Sequence, residues 1–136
     1  MITWNNLDKL TSYQELEKTE SVDLAAVMAG ENGAERVKNY SVPMAEGLAY
    51  NYAAKKVDDT VLAALEKLAE EAQLTEKFEA LYNGEVVNTG EKRLVLHHMT
   101  RGQLGDAVEA DGVDKRTFYV EQQKKIAEVA NKVHAG

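Results

Sequence analysis

The chain has 136 residues, 44% of them hydrophobic and 29% charged, with a formal net charge of -7 at pH 7 and no cysteine. This is one ordinary soluble domain or a piece of a larger one. The acidic balance disfavours nucleic acid and anionic membrane surfaces as partners, and the lack of thiols rules out disulfides, a cysteine nucleophile and a thiolate metal site.

The opening residues, MITWNNLDKLTSYQELEK, contain no apolar run resembling a signal peptide. No window reaches the ~18 apolar residues of a membrane span. A soluble, cytoplasmic protein is expected. A first short helix is predicted over Thr11 to Lys18, capped by Thr11 or Ser12 with Glu15 as the capping-box partner. A second is predicted over Val22 to Ala29, with Leu24, Val27 and Met28 inward and Gly30 as the stop. Residues 30–36, GENGAER, read as a turn or irregular connection.

Between Val37 and Lys55, Tyr40, Val42, Leu48, Tyr50 and Tyr52 partly alternate, and Pro43 to Gly47 turn between two short strands. Asp58 then caps a helix with a stripe of Val61, Leu65, Leu68 and Ala72, widened by Leu62 and Ala69. Glu66, Lys67, Glu70 and Glu71 read as its solvated face. A helix over Thr75 to Leu81 turns Phe78 and Leu81 inward. Another is predicted over 91–101, then a Gly-containing stretch, then a long helix from Lys115 to Val133. Its apolar face is Tyr119, Ile126, Val129, Ala130 and Val133. The fold class is mostly α with a small β-hairpin near 37–55.

The segment Asn83 to Arg101, NGEVVNTGEKRLVLHHMTR, is the most specific. It opens on an Asn-Gly turn signal. In the helix predicted there, Arg93, His97 and Arg101 recur every four residues and share one face. Such a stripe suits an anion or, as the preferred reading, ion pairs with neighbouring acids that position elements.

These residues carry a family resemblance. Asn83, Gly84, Glu85, Asn88, Glu91, Arg93, Val95, Leu96, His97 and Arg101 resemble, without a gap, the NGEKIN-x-TE-x-RAVLH-x-ALR block of the glucose-6-phosphate isomerase family. Gly90 stands where that family usually has Thr, and Met99-Thr100 where it has Ala-Leu. Tyr52, Lys55, Val57 and the helix led by Asp58 resemble its DYSKN-x-(V/I)-T stretch. Asp111-Gly112 and the long helix to His134-Ala135-Gly136 resemble its DGKDV…SG stretch. The resemblance implies an N-terminal helical segment spanning 1–136, cut from a larger α/β enzyme of sugar isomerase type. About 1–110 would be helical scaffold, and 111–136 a long helix leading into a sugar-phosphate-binding domain that is missing here. It also implies a parent that interconverts glucose 6-phosphate and fructose 6-phosphate through an enediol, needs no cofactor and works as a homodimer.

The chemistry of aldose–ketose interconversion needs a base, a ring-opening acid or base, and a phosphate cradle of backbone N–H groups and hydroxyls. The chain has three scattered serines, Ser12, Ser21 and Ser41, and no Gly-Ser/Thr loop. Gly102-Gln103-Leu104-Gly105-Asp106 is a weak phosphate candidate without hydroxyls and reads as a helix-ending turn. His97 and His98 are adjacent and point about 100° apart on a helix, which does not suit a shared metal. No catalytic, substrate-binding or metal residue is assigned. The family motif residues are read as structural. The isolated segment is expected to be inactive and to self-associate through the helix from Lys115, meeting sugar phosphate only within the intact enzyme. The alternative is a self-standing, non-enzymatic helical module that binds a protein partner.

Overall fold

The computed structural model describes residues 1–102 and 105–136. It is mostly helical with three small antiparallel hairpins. The chain divides into two compact units, residues 5–72 and residues 1–4 with 73–136.

The 5–72 unit opens with a 3₁₀ turn, Leu7–Lys9, and α1, Thr11–Leu16. The expected capping box is replaced by a long-range cap. The Glu71 carboxylate accepts from the amides of Thr11 (3.2 Å) and Ser12 (2.7 Å) and from the Ser12 hydroxyl. It therefore supplies acceptors for orphan donors of the first turn. Glu71 belongs to α4, Asp59–Glu71, so its side chain has a structural task that a solvated face does not suggest.

Next come α2, Leu24–Met28, capped by Asp23, and α3, Gly30–Asn39. The expected irregular connection over 30–36 is therefore helix. Its glycines are there because the two helices turn tightly on each other. A Cβ at Gly33 would lie 2.2 Å from the Met28 carbonyl oxygen. Glycine's low helix propensity is overridden by that close approach.

Strands β1, Ser41–Ala45, and β2, Leu48–Asn51, form the expected hairpin. The Tyr52 amide donates to the Tyr40 carbonyl at 2.9 Å, which makes Tyr40 and Tyr52 a hydrogen-bonded pair. Pairs alternate along an antiparallel ladder, so Val42 with Tyr50 is bonded and Pro43 with Ala49 is not. Pro43 thus points its missing N–H outward and removes no ladder bond. Asp58 caps α4 as predicted, accepting from the Val61 amide at 2.8 Å. Ala72 is buried and Leu68 partly so, while Leu65 stays 39% exposed.

The other unit holds α5, Leu74–Tyr82, β3, Val86–Asn88, β4, Arg93–Leu94, a 3₁₀ turn His97–Thr100, β5, Glu109–Ala110, β6, Val113–Asp114, and α6, Lys115–Ala135. Gln73 ties the first residues down, its side-chain oxygen accepting from the Thr3 amide and hydroxyl at 2.8 and 3.0 Å. Phe78 lies outward at 64% exposure and stacks on Tyr82, while Ala80 takes the buried place on α5. The core of this unit is Leu96, Met99 and Val108, with Leu94 and Tyr119 packed on it. Met99 is fully buried, a contribution of about 1.5–3 kcal/mol. The Asp111-Gly112 pair has φ of 54° and 72° and closes the β5–β6 hairpin as a two-residue turn of the type these residues favour. α6 follows at once, capped by Asp114, whose carboxylate accepts from the Arg116 and Thr117 amides. Beyond Tyr119 the apolar face of α6 lies open, with Ile126, Val129 and Val133 at 67%, 62% and 74% exposure.

Candidate functional site

The 83–101 block does not form the expected helix. Lys92 has φ of 54°, which a helix does not tolerate, and the chain turns there between β3 and β4. Arg93, His97 and Arg101 therefore share no helical face, and all three are exposed. The stripe dissolves into a strand residue, the start of a 3₁₀ turn and its C-cap.

Each part of the block has a local structural task instead. Asn83 and Gly84 end α5. The Glu85 amide donates to Ala80 O at 2.8 Å and the Gly84 amide to Leu81 O at 3.2 Å, the paired bonds of a Schellman stop. Gly84 has φ of 75°, and a Cβ there would lie 2.2 Å from Val108 Cγ1. Asn88 accepts from the Glu91 amide at 3.1 Å and donates to its carboxylate at 3.3 Å, closing the β3–β4 turn. Arg93 Nη1 stands 3.8 Å from the same carboxylate, an exposed pair. Leu94, Leu96 and Met99 enter the core. The Arg101 amide donates to His98 O at 3.0 Å.

Two buried arginines that periodicity did not single out organise the polar interior of the two units. Arg36, on α3, donates from Nε to Ala53 O (2.8 Å) and from Nη2 to Lys55 O (3.0 Å) and Val57 O (2.6 Å), with its guanidinium 4.1 Å from the centre of the Tyr40 ring. It fastens the segment that carries Tyr52, Lys55 and Val57. Burial, then the bond from its hydroxyl to Asp59 (3.2 Å), push the Tyr40 phenol above its ordinary value.

Arg116, on α6, donates to Asp106 O and, from Nη2, to Tyr82 O at 3.2 Å. His98 Nε2 meets the same Tyr82 carbonyl at 3.1 Å, and its ring stacks on Tyr82 at 4.7 Å. A carbonyl only accepts, so that bond requires a proton on Nε2. His98 Nδ1 and Arg116 Nη1 are buried without a hydrogen-bond partner among the described residues. The only signal for Arg116 in the sequence is its place two residues after the Asp114 cap, which is too little to single it out.

Hydrogen bonds also hold two carboxyls below the usual carboxylate range: Glu71, through Ser12, and Asp114, through Thr117 first. Both are caps. No group of three or more His, Asp or Glu among the described residues is placed to hold a metal ion, and no described helix is long and apolar enough to cross a membrane. The weak phosphate candidate at 102–106 includes Gln103 and Leu104, which lie outside the described residues.

Comparison with known proteins fits this geometry into a family. A family model described as phosphoglucose isomerase matches residues 51–136. The chain is 51% identical to a glucose-6-phosphate isomerase of Treponema denticola over 98% of its length and 26% of that protein's. It is 39% identical to one of Treponema pallidum, over 99% of this chain and 26% of the relative. A crystal structure of a glucose-6-phosphate isomerase from Chlamydia trachomatis superposes with a TM-score of 0.70 at 29% identity, covering 92% of this chain and 25% of that one. The chain therefore spans about a quarter of the length of the curated relatives it matches.

Proposed function

Because the chain belongs to the phosphoglucose isomerase family, we propose that it is the N-terminal scaffold of a cytoplasmic enzyme that interconverts glucose 6-phosphate and fructose 6-phosphate in glycolysis and gluconeogenesis. Its role is to shape and support the part of the enzyme that binds sugar phosphate. The base, the ring-opening groups and the phosphate cradle belong to that other part, and the working enzyme is a homodimer without an organic cofactor.

One observation carries this reading. The block most specific to the family, Asn83 to Arg101, is engaged in holding the fold. Gly84 admits Val108, Asn88 closes a turn on Glu91, and Leu96 enters the core. Residues committed to such contacts are scaffold, since a catalytic group must face substrate. The remaining three quarters of the enzyme, together with a second subunit, are the partners of this segment.

Taken alone, the 136-residue chain is inactive and self-associates through the open face of α6, because exposed apolar surface of this kind seeks cover. A coupled assay for fructose 6-phosphate isomerisation on the purified chain tests the catalytic assignment. The expected rate equals the buffer blank, and turnover that scales with chain concentration overturns it.

A further inference from the structure

We propose that the open face of α6 docks into the groove between the β1–β2 hairpin and α4 of a second copy of this chain. The proposal rests on the self-association reading above and adds which surface receives the helix.

The donor face has coiled-coil spacing. Tyr119, Gln122, Ile126, Val129 and Val133 follow one another at intervals of three and four. Lys125 and Lys132 flank this seam, one residue before Ile126 and Val133. Charge argues against pairing α6 with itself. In an antiparallel pair the flanking lysines of the two helices face each other, and in a parallel pair Lys125 faces Ala130 and finds no carboxylate. α6 carries five Lys or Arg against two Glu. Its seam calls for an apolar surface bordered by acids.

The 5–72 unit offers one. A groove of about 510 Å³ is lined by Val42, Tyr50, Tyr52, Val57, Leu62 and Leu65. Val42, Tyr50 and Leu65 are between 39% and 45% exposed. Lys55 is the single charged residue in the lining. Glu66 lies beside Leu65 and four residues after Leu62, so it borders the groove-facing side of α4. The whole unit holds thirteen Asp or Glu against seven Lys or Arg, while α6 is the basic element of the chain. Apolar seam meets apolar groove, and the flanking lysines meet Glu66 at its border within an acid-rich unit. Each copy gives one helix and receives one, so donor and acceptor surfaces differ.

That difference makes the proposal testable with two variants of exposed residues, Ile126→Asp (donor) and Leu65→Lys (acceptor), each checked for wild-type helicity by circular dichroism. In sedimentation velocity the wild type is expected to associate with rising concentration, while each variant alone remains a monomer. A 1:1 mixture of the two is expected to form a heterodimer through the one intact donor and acceptor. The double substitution Lys125→Glu/Lys132→Glu, which leaves the apolar seam untouched, is expected to weaken wild-type association about tenfold or more. A wild type monomeric at all concentrations overturns the self-association reading itself. Association that persists in Leu65→Lys and disappears in Ile126→Asp, or a mixture that stays monomeric, overturns the groove assignment alone.

Discussion

Gly84 and Val108 sit so close that a methyl group added to the glycine would fall 2.2 Å from Val108 Cγ1, while the glycine backbone holds φ at 75°. Two penalties then coincide, left-handed backbone for an L-residue and overpacking against the core. Gly84→Ala is expected to cost about 2–4 kcal/mol, seen as a lower urea midpoint at unchanged slope. Adding Val108→Ala relieves the clash but not the backbone term, so the double variant loses less than the sum of the two single losses.

Arg116 joins α6 to the Tyr82 and Asp106 carbonyls through one guanidinium. Arg116→Met takes the side-chain donor from the Asp106 carbonyl, leaves the Tyr82 carbonyl to His98 alone, and is expected to destabilise the chain by about 1–3 kcal/mol. Arg116→Lys recovers little of this, because an ammonium cannot reproduce the planar fork. Chemical denaturation of the three proteins reads the order wild type, Lys, Met, with Lys close to Met.

Glu71 gives the 5–72 unit an acid-sensitive point. Its folded-state pKa is depressed, chiefly by the Ser12 hydroxyl. A depressed carboxyl contributes stability above its unfolded pKa and loses it as pH falls through the folded value. Acidification through and below the ordinary carboxylate range should therefore loosen α1 first. Faster exchange of the Thr11 and Ser12 amides is the expected readout. Glu71→Gln should show that loosening already at neutral pH and vary less with acid. Identical exchange in the two proteins across the range would falsify the capping role.

Arg93 is exposed, and its one ion pair is long at 3.8 Å. Such pairs contribute about 0–1 kcal/mol. Arg93→Ala in the isolated chain should leave the thermal midpoint within about 2 °C of wild type. In the full-length isomerase the same change is expected to reduce stability or dimer assembly more than substrate affinity. Weakened substrate binding at wild-type melting behaviour would reassign Arg93 to the substrate.

The elements legible in the sequence were those set by local signals. Asp58 and the stripe ending at Ala72 announced α4, and the alternation through Tyr50 announced the first hairpin, although Pro43 to Ala45, expected in its turn, belong to β1. The apolar residues of α6 fixed its extent to within two residues. The 91–101 segment misled because Leu94, Val95 and Leu96 form a short continuous apolar run, which fits a helix or a strand equally. The deciding residue is Lys92, whose positive φ no periodicity reports. α3 was hidden because Gly30 and Gly33 argue against helix, and only the Met28 carbonyl explains Gly33. In the family block the sequence gave Arg93, His97 and Arg101 a shared face that the backbone does not provide. The contacts of Glu71, Arg36 and Arg116 bridge 10 to 60 residues, beyond any local pattern.

Pro43 has a consequence for sheet growth. It faces outward from β1, so that side of the hairpin lacks a donor where an added strand would need one. Only β2 offers a complete edge. If two hairpins joined there, both outer borders of the four-stranded product would be proline-bearing β1 strands, and no third hairpin would find a matching border. A single pyrrolidine ring thus discourages edge-to-edge growth of the hairpin on its β1 side.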